Sequence, residues 1–375
     1  SNGVHPDHHA WWIHPEDGSF MIDGNDGGMN ITRDGGKSWR FIGNLPVGQF
    51  YHVSVDSEYP YNVYGGMQDN GSWRGPAYVW RDQGIRNAYW QEIAFGDGFD
   101  VVPDPDDSRY GYAMSQQGYV RRYDWKTGND YTVRPTSPDD TTELRFNWNA
   151  AIGQDPFDNN TVYFGSQFVH KSSDKGLTWE VISPDLTRND PEKQGPGGLP
   201  FTNEAAGGEN YNTLMYLTAS SHEKGVLWAG SDDGLVHLTR DGGATWENVT
   251  PDGMAEGIVN SIEVSPHDPA TAYITLMRYK FMDLAPYIYK TSDYGQSWDL
   301  IVQGLDDPNG FVRVVREDPK RPGLLYAGTE TGLQISLNGG QTWQDFQLNL
   351  PVVPINDLTI RHNDLVAATA GRSFW

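Results

Sequence analysis

Apolar and polar residues alternate in short runs along this chain, and the runs come in a fixed order. A β-rich run leads into a Pro/Asp turn, and a second run follows it and ends in Gly. SIEVSPHDPATAYITL (261–276), VRVVREDPKRPGLLYAGTETG (312–332) and AAIGQDPFDNNTVYFGS (150–166) show the pattern. Alternation sends successive side chains to opposite faces of a strand, and Pro, Asp and Gly close the turns between strands. The Pro/Asp turn recurs near His14, Asp56, Pro103, Gln154, Ser220, Ser265, Glu317 and Arg361. That spacing, about 42 to 66 residues, suits one four-stranded unit each.

Most units carry an octapeptide after the second Gly turn: TRDGGKSW (32–39), SSDKGLTW (172–179), TRDGGATW (239–246), TSDYGQSW (291–298) and SLNGGQTW (336–343). Its acid (Asp34, Asp174, Asp241, Asp293) is placed to accept backbone N–H groups of its own turn, and the Gly two residues on supplies a positive φ. The closing Trp offers a large apolar face for burial between sheets. Asn338 replaces the acid in the last copy, which a structural role tolerates and a catalytic one does not.

Each unit therefore reads strand A, Pro/Asp turn, strand B, Gly turn, strand C, octapeptide turn, strand D. Repeated radially, such units make an all-β propeller of four-stranded antiparallel blades. A twin-sheet sandwich does not predict the period. The reading gives seven full blades and a partial eighth, over 6–44, 50–95, 97–135, 145–184, 210–251, 257–303, 310–347 and 355–375. Blades two and three lack the octapeptide. The chain stops at AATAGRSFW, inside the eighth unit, so residues 1–6 or a strand outside these residues are expected to complete it.

Charge narrows the partners. Asp and Glu outnumber Lys and Arg 50 to 27, a net −23, which disfavours nucleic acid and anionic membrane. No run of about 18 apolar residues is present, so no membrane insertion is expected. No leader is recognisable in these residues, and an extracytoplasmic location, secreted or periplasmic, fits the balance. The absence of Cys excludes disulfides and thiolate metal sites.

The octapeptides resemble Asp boxes, the bacterial neuraminidase repeats. Beyond them, HPDHHAWWIHP (5–15), GNDGGMNITRDGGKSW (24–39), LPVGQFYHV (45–53), YGGMQDNGS (64–72), ISPDLTRNDPEKQ (182–194), WAGSDDGLVHLTRDGGATW (228–246), FVRVVREDPKRPGLLYAGTE (311–330) and LNLPVVPINDL (348–358) are similar to one group of large bacterial secreted proteins, the sortilin-like or glycosyl hydrolase repeat proteins. The resemblance spans the whole chain. It implies further blades before residue 1, with 1–44 read as the first blade of this propeller or, alternatively, as part of a preceding one, and more chain after residue 375. Asp-box proteins include sialidases, xyloglucan-cleaving glycosidases and sortilin-type receptors, so the box does not decide the chemistry.

In a four-stranded blade the B–C turns and D–A connections share one face, and the A–B and octapeptide turns share the other. The long insertions are read as 71–90 (B–C of blade two), 136–146, 185–209 and 277–287, all on the B–C/D–A face. Insertions on one face of a repeat protein mark a binding face. The polar residues expected there are His8, His9, Asp26, Gln68, Asp69, Asn70, Asp97, Asp100, Asn147, Asn149, Glu209, Asn210, Asp232, Asp233, Arg278, Arg313, Glu330 and Arg372. The aromatics Trp73, Tyr78, Trp80, Tyr89 and Trp90 are offered as sugar-stacking groups. Asp97, Asp100 and Glu209 enter an innermost strand and are expected near the axis.

Two functions remain open. One is a carbohydrate-active enzyme of the glycoside hydrolase type. Such chemistry needs two carboxylates about 5–5.5 or ~6.5–9.5 Å apart, for which Asp69 and Asp97 are the first pair and Glu209 the reserve. The other is a non-catalytic module holding a glycan, a peptide or a sister domain. No cofactor is expected. Adjacent histidines on a strand point to opposite faces, so His8 and His9 are not read as metal ligands. DGNDGG (23–28) has a calcium-loop look, but its twelfth position is Asp34, not Glu.

Overall fold

The computed structural model describes residues 3–195, 198, 200–202 and 209–375. Strands and turns dominate it, and the only helical pieces among the described residues are single 3-10 turns. None of its helices is long and apolar enough to cross a membrane. There are seven four-stranded antiparallel sheets and one two-stranded sheet, each built from strands consecutive in sequence. In order they cover 8–41, 54–94, 101–132, 152–181, 214–248, 258–300, 312–345 and 355–369 and are called sheets one to eight.

The chain divides into two compact units, 1–48 and 49–375. The first holds sheet one alone. Its first strand, His8–Ile13, is exposed along its length.

Sheets two to eight form a closed ring within the second unit. A sheet with two apolar faces must bury both, and here each of the seven sheet-to-sheet contacts has its own apolar cluster. Tyr64, Val101 and Tyr123 join sheets two and three, while Phe146, Val162 and Met114 join three and four. Tyr163 and Leu217 join four and five, and Trp228 and Ile274 join five and six. Tyr273 and Val315 join six and seven, and Val314 and Leu358 join seven and eight. The last cluster closes the ring: Phe50, Val53 and Val63 of sheet two pack on Val366 and Ala368 of sheet eight.

Closure differs from the expectation at the eighth sheet. Residues 373–375 turn back and lie along its second strand, with Ala367 and Trp375 exchanging backbone hydrogen bonds of 2.8 and 3.0 Å. Phe374 thereby stacks on Phe50 at 3.8 Å between ring centres. Phe374 seals the ring, because its burial against Phe50 removes apolar surface from water, while Trp375 stays exposed. Asn356 Nδ2 donates to Phe50 O, and the Val53 N–H donates to Asp357 Oδ2, across the same seam.

The insertion in sheet two also lies elsewhere than expected. Gly71–Pro76 is already the third strand, and it pairs with Asn62–Met67 through the tight turn 68–70. Asp69 and Gly71 both have positive φ there, which closes the hairpin at once. The extra residues are 77–90, between the third and fourth strands, so Tyr78, Trp80 and Tyr89 emerge on the face of the octapeptide turns. SWRGP lacks alternation, which hides the strand.

The octapeptide turns share one hydrogen-bond pattern. In the third copy Asp241 accepts from the Thr239 hydroxyl and from both the N–H and the hydroxyl of Thr245. These bonds hold the carboxyl low, at about 2, in Asp34, Asp174 and Asp241. Asn338 keeps the same geometry through its amide, accepting from Thr342 N and donating to the Thr342 hydroxyl.

Within the ring the turn also clasps the preceding sheet. The indole N–H of Trp179, Trp246, Trp298 and Trp343 donates to the carbonyl of Val133, Ile182, Val249 and Ile301, each just past a fourth strand. The octapeptide Gly, at positive φ, sits on that same residue: a Cβ on Gly243 would lie 2.8 Å from Ile182 O, and one on Gly340 would lie 2.3 Å from Ile301 Cδ1. A side chain there would separate the sheets.

Two outcomes follow for thermal unfolding. Trp246→Phe keeps most of the apolar packing but strands the Ile182 carbonyl, and should cost about 1 kcal/mol. Asp241→Asn should retain most of the stability that Asp241→Ala loses, since Asn338 already performs the role. Equal losses in the two Asp241 variants would show that charge, not hydrogen bonding, holds the turn.

Candidate functional site

The innermost strands, or the residues just ahead of them, bring one polar side chain for each of the seven ring sheets to the axis: His52, Asp100 and Asn149 from the entries to sheets two, three and four, and Tyr216, Glu263, Arg316 and Asp357 from the strands themselves. Bonds between sheets that are not neighbours show that they meet at the centre. Arg316 of sheet seven donates to the Tyr216 hydroxyl of sheet five at 3.1 Å, and Asn149 of sheet four lies 2.9 Å from His52 of sheet two. Arg316 also bonds Asp357 at 2.8 Å and lies 3.7 Å from Glu263. His52 sits between Asp357 and Asp100, at 3.7 and 3.8 Å.

This crowding separates the groups by protonation. Burial pulls the His52 imidazolium down, but Asp100 and Asp357 more than reverse it and raise it to about 9. Burial drives Glu263 up to about 7, with Arg316 offsetting only part of the effect. Burial also raises Asp100, against the pull of His52. Asp357 goes the other way: burial is outweighed by Arg316 and His52, and it stays ionised. A protonated His52 donates through Nε2, so the Asn149 amide meets it best with its oxygen, which otherwise has no partner among the described residues.

Above this ring lies the mouth of the channel on the B–C/D–A face. Five first strands begin with the same β-bulge, and in the ring it falls at Met215, Asn260, Arg313 and Asn356. A bulge re-aims a side chain at a sheet end. The centre of the mouth is Tyr51, whose hydroxyl donates to Gln68 Oε1 at 2.6 Å and whose ring stands 4.6 Å from Phe99. Burial first, then the charges of Asp97, Asp69 and Glu209, push its phenol up, while a hydrogen bond with Trp148 pulls it down. Asp97 Oδ1 accepts from the Asp69 N–H at 2.6 Å, tying the sheet-two turn to the entry of sheet three. Tyr279 stacks on Phe311 at 6.0 Å, and burial, with the charge of Glu209 adding to it, raises its phenol.

The other nominated residues divide by what they touch. Asn70 donates to Gln68 O, and Trp73 donates its indole N–H to Asn70 O, so they fix the turn that carries Asp69. Arg313 is doubly bonded to Glu330, at 2.8 and 2.5 Å, and Arg278 is paired with Asp283. Neither arginine is left to clamp an anion. Asn147 is spent on Asp232, which also accepts from Thr213. Asp233 accepts from Arg188 N, Asn212 and Ser231. Burial and mutual repulsion raise Asp232, in the interior and not at the mouth. Arg372 is exposed and holds its turn through its backbone N–H. Asn210 contributes a backbone N–H to Phe146 O. Trp80 lies on the opposite face, and Trp90 stacks beside Phe374.

His8, His9 and Asp26 belong to the first unit. His8 Nδ1 meets the buried Asp23 at 2.9 Å, and His9 Nε2 meets Asp26 at 2.6 Å. Asn25 also donates to Asp23, so the first position of the calcium-like loop is already engaged by protein donors.

Tyr51, His52, Trp148, Tyr216, Glu263, Arg316 and Asp357 were not nominated from sequence. A usable signal existed for three of them: Glu263, Arg316 and Asp357 are charges set inside the apolar runs SIEVS, VRVVRE and INDLTI.

No family profile matches the chain, and no curated protein matches it. Solved structures match it by fold. The GH74 xyloglucanase from Xanthomonas campestris aligns over 89% of this chain and 52% of its own, with TM-score 0.62 and 16% identity. The chain thus spans about half of that enzyme. YCF48 from Cyanidioschyzon merolae aligns over 88% and 95%, with TM-score 0.59 and 11% identity. The extracellular domain of a one component system from B. thetaiotaomicron aligns over 89% and 39%, with TM-score 0.55 and 13% identity. At these identities the likeness shows the β-propeller fold alone.

The axial network makes stability depend on pH with a defined sign. A histidine raised from 6.5 to about 9 in the folded state stabilises it fully below 6.5 and loses that contribution as pH rises through 9. The loss is at most about 3 kcal/mol. Unfolding followed from pH 6.5 to 9.5 should show the midpoint falling, and His52→Gln should flatten that fall. An unchanged slope in the variant would remove His52 from the account.

Proposed function

We propose that this chain is an extracytoplasmic Asp-box propeller that engages a glycan at the mouth of its axial channel. The observation that carries the reading is the meeting of two acid-bearing turns beside aromatic rings: Asp97 accepts from the Asp69 N–H, Tyr51 donates to Gln68, and Tyr51 lies against Phe99, which meets Trp148. Carboxylates accept from sugar hydroxyls and aromatic faces cover the C–H side of the ring, so a concave mix of the two suits a saccharide. The paired Arg278 and Arg313 disfavour an acidic sugar. Hydrolysis is the stronger form of the reading, with Asp69 and Glu209 as the carboxylate pair and Asp97 holding the turn of Asp69. The fold likeness to a xyloglucanase supports it. A binding module without catalysis is the second form, and the commitment of Asp97, one of the two carboxylates paired from sequence, to a backbone N–H speaks for it.

Neutral polysaccharides and aryl-glycosides, tested for binding and for released reducing ends, separate the two forms. Glu209→Gln should weaken binding at least ten-fold, or lower turnover at least a hundred-fold, with an unchanged unfolding midpoint. Wild-type binding or turnover in that variant would place the ligand elsewhere.

A further inference from the structure

Sheet one builds its octapeptide turn as the ring does. Asp34 accepts from the Thr32 hydroxyl and from both the N–H and the hydroxyl of Ser38, the same bonds that Asp241 makes. In the ring that turn seats a Trp on another sheet. Trp179, Trp246, Trp298 and Trp343 each donate the indole N–H to a backbone carbonyl at 2.7 to 2.8 Å. The accepting residue is Val133, Ile182, Val249 or Ile301, always β-branched and always just past a fourth strand. Beneath the turn, a Cβ on Gly176, Gly243 or Gly295 would lie 2.7 to 3.0 Å from the Cβ of that same residue.

The first copy makes neither contact. No described residue accepts the Trp39 indole N–H, and the ring sets its edge against Trp11 of its own sheet at 5.6 Å. The atoms nearest to a Cβ on Gly36 belong to Trp39 and Met21, again of its own sheet, at 3.7 Å or more. The clasp is built but grips nothing among the described residues.

The other half of the clasp is present on the same sheet. Ile42 stands just past the fourth strand, Arg40–Phe41, and its N–H donates back to Met29 O at 2.9 Å, as that of Ile182 does to Val169 O. It is the counterpart of the four accepting residues, and no described donor reaches its carbonyl. Elsewhere that place is already clasped, or is held by Phe95 and Phe346, which are not β-branched. Both faces of sheet one also carry uncovered apolar groups. Trp11 and Ile13 fall on one side of the first strand and Trp12 on the other, and all three, with Phe41, are about half exposed. Exposed apolar surface of this kind marks an interaction site.

We infer that sheet one is a docking surface for sheet one of a second copy of this chain. Trp39 of one copy donates to the carbonyl of Ile42 of the next, and Gly36 seats on the same Ile42 side chain. Donor side and acceptor side differ, so the contact is head-to-tail and each pair keeps one of each unused. Such a heterologous contact does not stop at two copies. The inference uses no residue of the channel mouth and stands apart from the glycan reading.

Mass action makes such association concentration-dependent, so sedimentation velocity of the whole chain over about a hundred-fold range of concentration reads it directly. The average mass should climb past that of a dimer. Trp39→Phe keeps a ring beside Trp11 but strands the Ile42 carbonyl, and should weaken association about ten-fold or more. Trp39→Ala removes the donor side and Ile42→Asp blocks the acceptor side with a charge, so each alone should stay monomeric. Mixed, the two should form a dimer and nothing larger, because one copy keeps Ile42 and the other keeps Trp39. That dimer also shows that sheet one folds in both variants. A wild type that is monomeric throughout gives the surface to a blade of another protein and overturns the inference. Association of Trp39→Phe equal to wild type, or a mixture that stays monomeric, overturns it as well.

Discussion

Every other feature of residues 49–375 depends on closing the ring between sheets two and eight. Each sheet has two apolar faces, and a row of seven would leave two of them in water. Phe50, Val53 and Val63 against Val366, Ala368 and Phe374 remove that last pair of faces. The seam is also where polar groups bridge the longest sequence separations: Asp357 accepts from Val53 N, and Asn356 donates to Phe50 O. Closure and axial chemistry are therefore coupled through one stretch of chain. Asp357 holds the seam with one oxygen and Arg316 with the other.

A ring of repeats would be symmetric if its sequence were, and the axis is where symmetry is broken. The clasp turns repeat nearly identically, since each does the same mechanical work of seating a Trp on the sheet before it. The seven axial positions hold six different side chains, Asp alone occurring twice. Their charges compensate locally, with His52 between two aspartates and Arg316 between an aspartate and a glutamate. Such a buried network is costly unless fully paired, and its pairing fixes which sheets stand opposite one another.

Local features were readable from the chain. The octapeptide, the Pro/Asp turns and the all-β propeller architecture follow from patterns a few residues long. What failed was non-local or masked. The third strand of sheet two, GSWRGP, has no alternation, so the insertion behind it was assigned to the wrong face. The return of residues 373–375 depends on Phe50, more than 300 positions away. Of the candidate site, Asp69, Asp97 and Glu209 could be nominated because acids stand out at strand entries. Tyr51 could not, because its role comes from what the ring places around it.

The central claim is that ligand meets this propeller at the channel mouth, at loops entering and leaving the innermost strands of sheets two, three and four. Hydrogen exchange of the whole chain, with and without a bound neutral oligosaccharide, tests it most directly. The account predicts slowed exchange at 49–52, 67–70, 96–100 and 146–149 together. Slowed exchange confined to the octapeptide turns around Lys37, Lys175 and Tyr294, with the mouth unchanged, would contradict it.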